Sequence, residues 1–400
     1  MTTTPFRVLL LAGALLLGTA SYSQNCTLSG WATQNGGTTG GGSATPITVS
    51  TLADLQAQAG GSGAKVIYVS GSIGSGVGTR VVVTANKTII GMPGAQLYGG
   101  FDVKNTSNVI IRNMKVRGPG AVDVDGVDCI TIQTATNVWI DHCEIWDGQD
   151  GNLDISNDAN YVTVSWTKFL YTSASSNHQF CNLIGSSDTR TSDRGKLKVT
   201  FVNNWWGPGC KERMPRVRFG QVHVVNNYFG SAGNSHCVRA GVEANLLVEG
   251  NYFENVAKPV DLFENNFTAV TVRNNTFVNV TGNTLGSGTA FTPPYALTVQ
   301  PSAGIKALVT DAVNGAGATM SSPTACGGGG TVTTYTLTTT ATPSAGGSIS
   351  RSPDAASYTA GSSVTLTATA AAGYTFTGWS GDASGTSASV SITMDANKNV

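Results

Sequence analysis

VTFVNNWW at 199–206, VHVVNNYF at 222–229, LLVEGNYF at 246–253 and VTVRNNTF at 270–277 are one pattern written four times, with starts about two dozen residues apart. VTVSWTKF from Val162, VWIDHCEI from Val138 and VIIRNMKV from Val109 carry the series upstream. Each copy alternates apolar residues with period two, the mark of a strand with one buried face, and several continue into Asn and then an aromatic. Between copies lie turns and a second short strand, such as CITI after Asp128, LDIS after Asn152 and CVRAG after His236. Strand-rich units of this length, without intervening helices, suit the rungs of a right-handed parallel β-helix stacked about 4.8 Å apart. Asn204, Asn227, Asn251 and Asn275 then fall in line as a ladder of amides inside one turn, a structural role.

The open ends of such a coil need covering. TLADLQAQAG, opened by Thr51 with Asp54 three residues on, predicts a short capped helix over the amino-terminal end. The spacing breaks once, between Val162 and Val199, which predicts a loop bulging from the coil around Tyr171 to His178.

Composition agrees with an all-β chain. It is glycine-rich, and its 23 cationic and 23 anionic side chains balance, which argues against wholesale nucleic-acid binding. Arg7, an apolar run from Val8 to Leu17 and small residues through Ser23 match a secretory signal peptide over residues 1–23. No other stretch is suited to crossing a bilayer, so a soluble, secreted protein is expected. Seven cysteines at irregular spacing predict some pairing without fixing a connectivity, and leave at least one unpaired. None has zinc-site spacing. The β-helix is assigned to 24–325 and a glycine-rich linker to 326–334. Residues 335–400 are expected to form a small Thr/Ser-rich accessory β domain, whose last strand is expected to need another residue or two beyond MDANKNV. This tail resembles divergent internalin-type B-repeat domains, which suggests a spacer or attachment role.

Two constellations carry chemistry. KERMPRVRFG at 211–220 sets four cations within eight residues, and strand alternation sends Arg216 and Arg218 to one face while Val217 and Phe219 take the other. The apolar phase slips beyond Gly220, as a bend between two strands requires. Arg216 is read as a groove contact, and Lys211 as a charge that steers a polyanion. DGNLDISN puts Asp150 and Asp154 on one face, and Asp128 lies about one rung earlier. Ordinary turn aspartates would look the same. If Gly151 bends the chain, however, the three can share one hard cation, calcium before magnesium because an open groove tolerates irregular coordination. Asp123 and Asp125 are read as turn residues. His142 is read as structural and Lys168 as an outward strand residue. Trp139, Trp205 and Trp206 are read as packing, and His178 as balanced between substrate contact and loop packing.

GWATQNGGTTGG from Gly30, KVIYVSGSI from Lys65, NKTIIG from Asn86, NVWIDHCEI from Asn137, DGNLDI from Asp150, GSSDTRTSDRGKLKVTF from Gly185 and ERMPRVRFGQVHVVNNYF from Glu212 run in collinear order. Together they resemble polysaccharide lyase family one, the pectate lyases, over roughly Gly30 to Ala318. RxPxxR falls on Arg213, Pro215 and Arg218. The resemblance implies a parallel β-helix and calcium-dependent anti β-elimination of polygalacturonate by a monomeric enzyme. It makes Asp128, Asp150 and Asp154 the calcium carboxylates, Arg218 the acceptor of the C5 proton, and Arg213 a substrate-binding, charge-stabilising partner. An arginine base implies an alkaline optimum. Relatives place a lysine five residues before GSSD; here NHQFCNLIG puts Phe180 there, with His178 and Gln179 as nearby substitutes. Three alternatives stand beside this reading: a pectin lyase acting on methyl-esterified substrate, a non-catalytic polysaccharide-binding β-helix, and a hydrolase, the last needing paired carboxylates.

Overall fold

The computed structural model describes residues 26–323 apart from 77 and 123–125. It also describes residues 334–400 apart from 353, 355–357, 360–362 and 395. The expected signal peptide, nearly all of the linker, Cys326, Asp123 and Asp125 lie outside the described residues. The described residues fall into two compact units, 26–323 and 334–400.

All seven copies of the repeat occupy one ten-stranded parallel sheet in a single register. Val109 pairs with Val138, Val138 with Val162, Val162 with Val199, Val199 with Val222, Val222 with Leu246 and Leu246 with Val270. The aromatic ends of the copies enter a second parallel sheet of nine strands. The short strands after Asp128, Asn152 and His236 enter a third sheet of eight. Sheet neighbours are one full turn apart in sequence, so the chain winds as a right-handed parallel β-helix. Its interior is an unbroken apolar column from Val49 to Val270.

The motif of Asn followed by an aromatic builds two stacks. Each ladder amide donates to the next: Asn204 to Asn227, Asn227 to Asn251 and Asn251 to Asn275, at 2.9–3.0 Å. The second amide hydrogen of each goes to a main-chain carbonyl, so the buried dipoles are satisfied. Alongside, Phe169, Trp206, Phe229, Phe253 and Phe277 stack face to face, with centroids 5.7, 4.6, 4.3 and 5.2 Å apart. Such offset stacks add about 0.5–1.5 kcal/mol per pair beyond burial.

The helix Leu52–Gly60 forms as expected. The Thr51 hydroxyl accepts the Asp54 amide, and Leu55 and Ala59 close the end of the apolar column. The extra length before Val199 is shared between two loops, 171–182 and 185–198, rather than confined to the first. Asp147 fastens the first through the amide and hydroxyl of Thr172 and the hydroxyl of Ser175. Cys129, Cys143, Cys181, Cys210 and Cys237 are free and buried, and burial pushes thiols such as Cys143 up to about 12, out of reach of reaction. Cys26 is disulfide-bonded. Among the described residues no helix is long and apolar enough to cross a membrane.

The C-terminal unit is a small β fold. Gly347–Ser352, Ser363–Ala370 and Ser389–Thr393 form an antiparallel sheet, over a core that includes Leu337, Leu366, Trp379 and Met394.

Candidate active site

Along the eight-stranded sheet Ile130, Ile132, Leu153 and Ile155 point into the coil, so the residues between them face outward. One outward column results. Asp102 pairs with Thr131, and Thr131 with Asp154. Ile155 pairs with Ile184, which sets Asp154 beside Leu183; Leu183 then pairs with Arg216, Arg216 with Arg239 and Arg239 with Asp261. Asp154 and Arg216 thus stand two rungs apart, about 10 Å along the sheet.

Asp128 does not stack directly on Asp154, because Thr131 occupies that place in the column. It stands beside Gly151 instead, and the two carboxylates converge there: a Cβ at position 151 would lie 2.9 Å from Asp128 Oδ1 and 2.9 Å from Asp154 Oδ1. Only glycine leaves this space open. Asp128 Oδ2 accepts the Thr131 hydroxyl at 3.0 Å, while its Oδ1 is buried with no hydrogen-bond partner. Asp154 Oδ1 accepts the Leu183 amide at 2.9 Å. Burial, then the Asp150 charge, pushes the Asp128 carboxyl up to about 6. Burial, then Asp128, lifts Asp154 well above the usual carboxylate range. Two crowded hard-oxygen donors, one of them orphaned, around a gap kept open by glycine fit a hard divalent cation such as calcium. Asp150 contributes its charge to both, but its Oδ1 faces His178 Nε2 at 2.6 Å. Accordingly, among the described residues no three His, Cys, Asp or Glu side chains are gathered into one ready-made metal group.

The arginines differ from one another. The strand covers only Arg216–Val217, and the phase breaks at Phe219, whose φ of 56° ends the alternation one residue before Gly220. Arg218 is the most buried of the row, in a slot flanked by Gly185 and Gly241 on the neighbouring rungs. Its Nε forms an ion pair with Asp188, and its Nη1 donates to the Gly185 carbonyl at 2.9 Å. Burial, then the cations of Arg218, Arg213 and Arg239, lowers Arg216 from its ordinary value, and its Nε is buried without a partner. Arg213 has no ion pair or side-chain hydrogen bond among the described residues; its guanidinium lies over the Phe180 ring, 4.3 Å from the centroid. It is close enough to Asp128 and Asp154 that its charge favours the ionised form of both.

Lys211 is turned aside: its Nζ donates to the Gly233 carbonyl at 2.9 Å. His142, at the end of a strand of the ten-stranded sheet, is buried against Trp166, away from the arginines. Trp206 belongs to the interior stack, and Lys168 bonds Glu144 on the next strand. Sequence reasoning missed Arg239 and Asp188. Arg239 occupies the place of Arg216 one repeat later, so aligning CVRAG with MPRVR would have found it. Asp188 sits in a loop outside the period and carries no such signal.

The pectate lyase family profile matches residues 4–341, and that of the divergent InlB B-repeat domain matches 335–400. Pectate lyase A of Aspergillus niger is 36% identical, over 80% of this chain and 99% of its own. Pectate lyase plyB of Emericella nidulans is 37% identical, over 68% and 83%. A solved Bacillus subtilis pectate lyase superposes with a TM-score of 0.62 at 26% identity, over 76% of this chain and all of its own. A Bacillus pectate lyase in complex with trigalacturonate gives 0.60 at 29%, over 70% and 96%. The coil that carries this row of carboxylates and guanidiniums therefore belongs to the pectate lyase family, and the chain is a pectate lyase with a divergent InlB B-repeat domain at its C-terminus.

Proposed function

We propose that this lyase is secreted, acts as a monomer and cleaves α-1,4-linked polygalacturonate by calcium-assisted anti β-elimination, leaving unsaturated oligogalacturonides. The substrate lies along the outward face of the eight-stranded sheet. The observation that carries the reading is the pairing on one face of a carboxylate cradle and a run of guanidiniums with too few counter-charges. Asp128 and Asp154 would hold calcium, with Asp150 as a third carboxylate close enough to add its charge. Bound there, it would supply a Lewis acid that draws charge from a uronate carboxylate and so acidifies the C5 proton.

The chain's own residues do the rest. Arg216 receives substrate carboxylates, and Lys211 adds long-range attraction. We assign the C5 proton to Arg213 rather than Arg218, the reverse of the expectation from sequence; Arg213 first gives a proton to solvent and receives the C5 proton as a neutral guanidine. A base needs a nitrogen not already committed as a donor, and Arg213 is uncommitted, whereas Arg218 is held by Asp188 and the Gly185 carbonyl. Fixed in its slot, Arg218 is suited instead to stabilising charge that develops at C5. As the C5–H bond breaks, its electron pair forms the C4–C5 double bond, and the C4–O bond breaks with its pair passing to the glycosidic oxygen, which takes a proton from solvent.

Ultraviolet absorbance of unsaturated uronate ends tests the proposal, on polygalacturonate and on highly esterified pectin, with calcium and with chelator. Calcium-dependent product on polygalacturonate is expected. Product that persists in chelator on esterified pectin would replace this reading by a pectin lyase, and no product on either would favour a binding protein. The orphaned Asp128 Oδ1 in this carboxylate cradle speaks against the pectin-lyase alternative, since a calcium-free enzyme has no use for it.

A further inference from the structure

Where a cation was expected five residues before GSSD, the chain places a phenyl ring, and the ring is not idle. One side of Phe180 meets the Arg213 guanidinium, 4.3 Å from the centroid, and His178 packs against it with ring centroids 4.1 Å apart. His178 is in turn tied to Asp150 at 2.6 Å. The main chains are locked as well: Phe180 bridges Glu212 as a parallel partner, the Cys181 amide donates to the Glu212 carbonyl at 3.0 Å, and the Asn182 amide to that of Arg213 at 2.6 Å. The Tyr171 hydroxyl holds the Phe180 carbonyl. Arg213 leaves this frame with a left-handed φ of 56° and a long side chain that no polar group among the described residues restrains.

We propose that Phe180 is a positioning residue for the elimination: its ring face, braced by His178, holds the Arg213 guanidinium in line with the substrate. This rests on Arg213 as the proton acceptor. Attraction between a guanidinium and an aromatic face is directional, so it restricts the arginine without consuming an N–H donor, whereas a carboxylate partner would hold the proton in place. An aromatic is therefore better suited than an acid to orient a guanidine that must act as a base.

The test is steady-state kinetics on polygalacturonate in saturating calcium, with thermal unfolding of each variant. Phe180→Leu is expected to lower kcat about three- to thirty-fold, the span of a cation–π contact, with KM within about two-fold and unfolding temperature near wild type. Phe180→Tyr keeps a ring face and should restore kcat. Should the leucine variant fold poorly, Phe180→Met, of similar bulk without a face, carries the same expectation. Wild-type turnover in the leucine or methionine variant, or a tyrosine variant as slow as leucine, overturns the proposal. Arg213→Ala separates the two layers. If it is inactive while Phe180→Leu is unimpaired, only the positioning role fails; if it turns over normally, the assignment of Arg213 fails and the positioning role with it.

Discussion

Asp128→Asn should stabilise the calcium-free protein at neutral and alkaline pH while weakening its hold on calcium, two effects of opposite sign from one atom. Asp128 is 9% exposed, its Oδ1 has no partner, and burial with the Asp150 charge pushes its carboxyl from an ordinary 3.8 up to about 6. A folded-state value above the unfolded one means that the native protein binds the proton more tightly. The associated stability is fully present below about pH 4 and is lost as pH rises through about 6. That difference corresponds to roughly 3 kcal/mol at pH 8, or roughly 5 °C in Tm for a unit as long as 26–323. Asparagine removes that charge, can still accept the Thr131 hydroxyl, and offers its N–H to Asp154. The assay is thermal unfolding of wild type and variant at pH 5 and pH 8, in chelator and in calcium. In chelator at pH 8 the variant should melt higher, and at pH 5 the gap should shrink. Calcium should raise wild type strongly and the variant little. A variant less stable than wild type at pH 8 in chelator, or one that calcium stabilises equally, would refute the reasoning.

Arg213→Ala should lower kcat by about 10²–10⁴ and Arg218→Ala by about 10²–10³, each with its unfolding temperature nearly unchanged; a greater loss at Arg218 would return the base to that position. KM for polygalacturonate should rise steeply with salt, and Arg216→Ala should flatten that dependence; a salt-independent KM would argue against the guanidinium row as the substrate-binding surface. Asn227→Ala breaks the ladder on both sides and leaves buried groups unpaired, so denaturant unfolding should show a loss of about 2–4 kcal/mol; a change below about 0.5 kcal/mol would mean the ladder is decorative.

What could be read from the sequence was whatever repeats. Seven starts from Val109 to Val270 pair in one sheet because a coil converts equal spacing into lateral neighbours. Asn followed by an aromatic became a ladder and a stack for the same reason. The site was legible only where it rides on the rungs. Arg216 faces outward as alternation requires, but a whole-rung estimate put Asp128 over Asp154, whereas the register puts Thr131 there and Asp128 beside Gly151. Departures from the period hid the remainder. The pairing of Arg218 with Asp188 depends on the loop 185–198, and that of Asp150 with His178 on the loop 171–182, neither with a lattice to fix its course. The ring of Phe180 against Arg213 follows from a bridge outside any regular strand.

A divalent ion at Asp128 and Asp154 and an uncommitted Arg213 side chain are proposed to address the same sugar. A crystal structure with calcium and an oligogalacturonate, read by the anomalous signal of the ion, tests it most directly. The expected result is calcium bound by both carboxylates, a uronate carboxylate on the ion, and the C5 hydrogen of that sugar facing Arg213. An ion bound away from Asp128 and Asp154, or a C5 hydrogen turned toward Arg218, would contradict it.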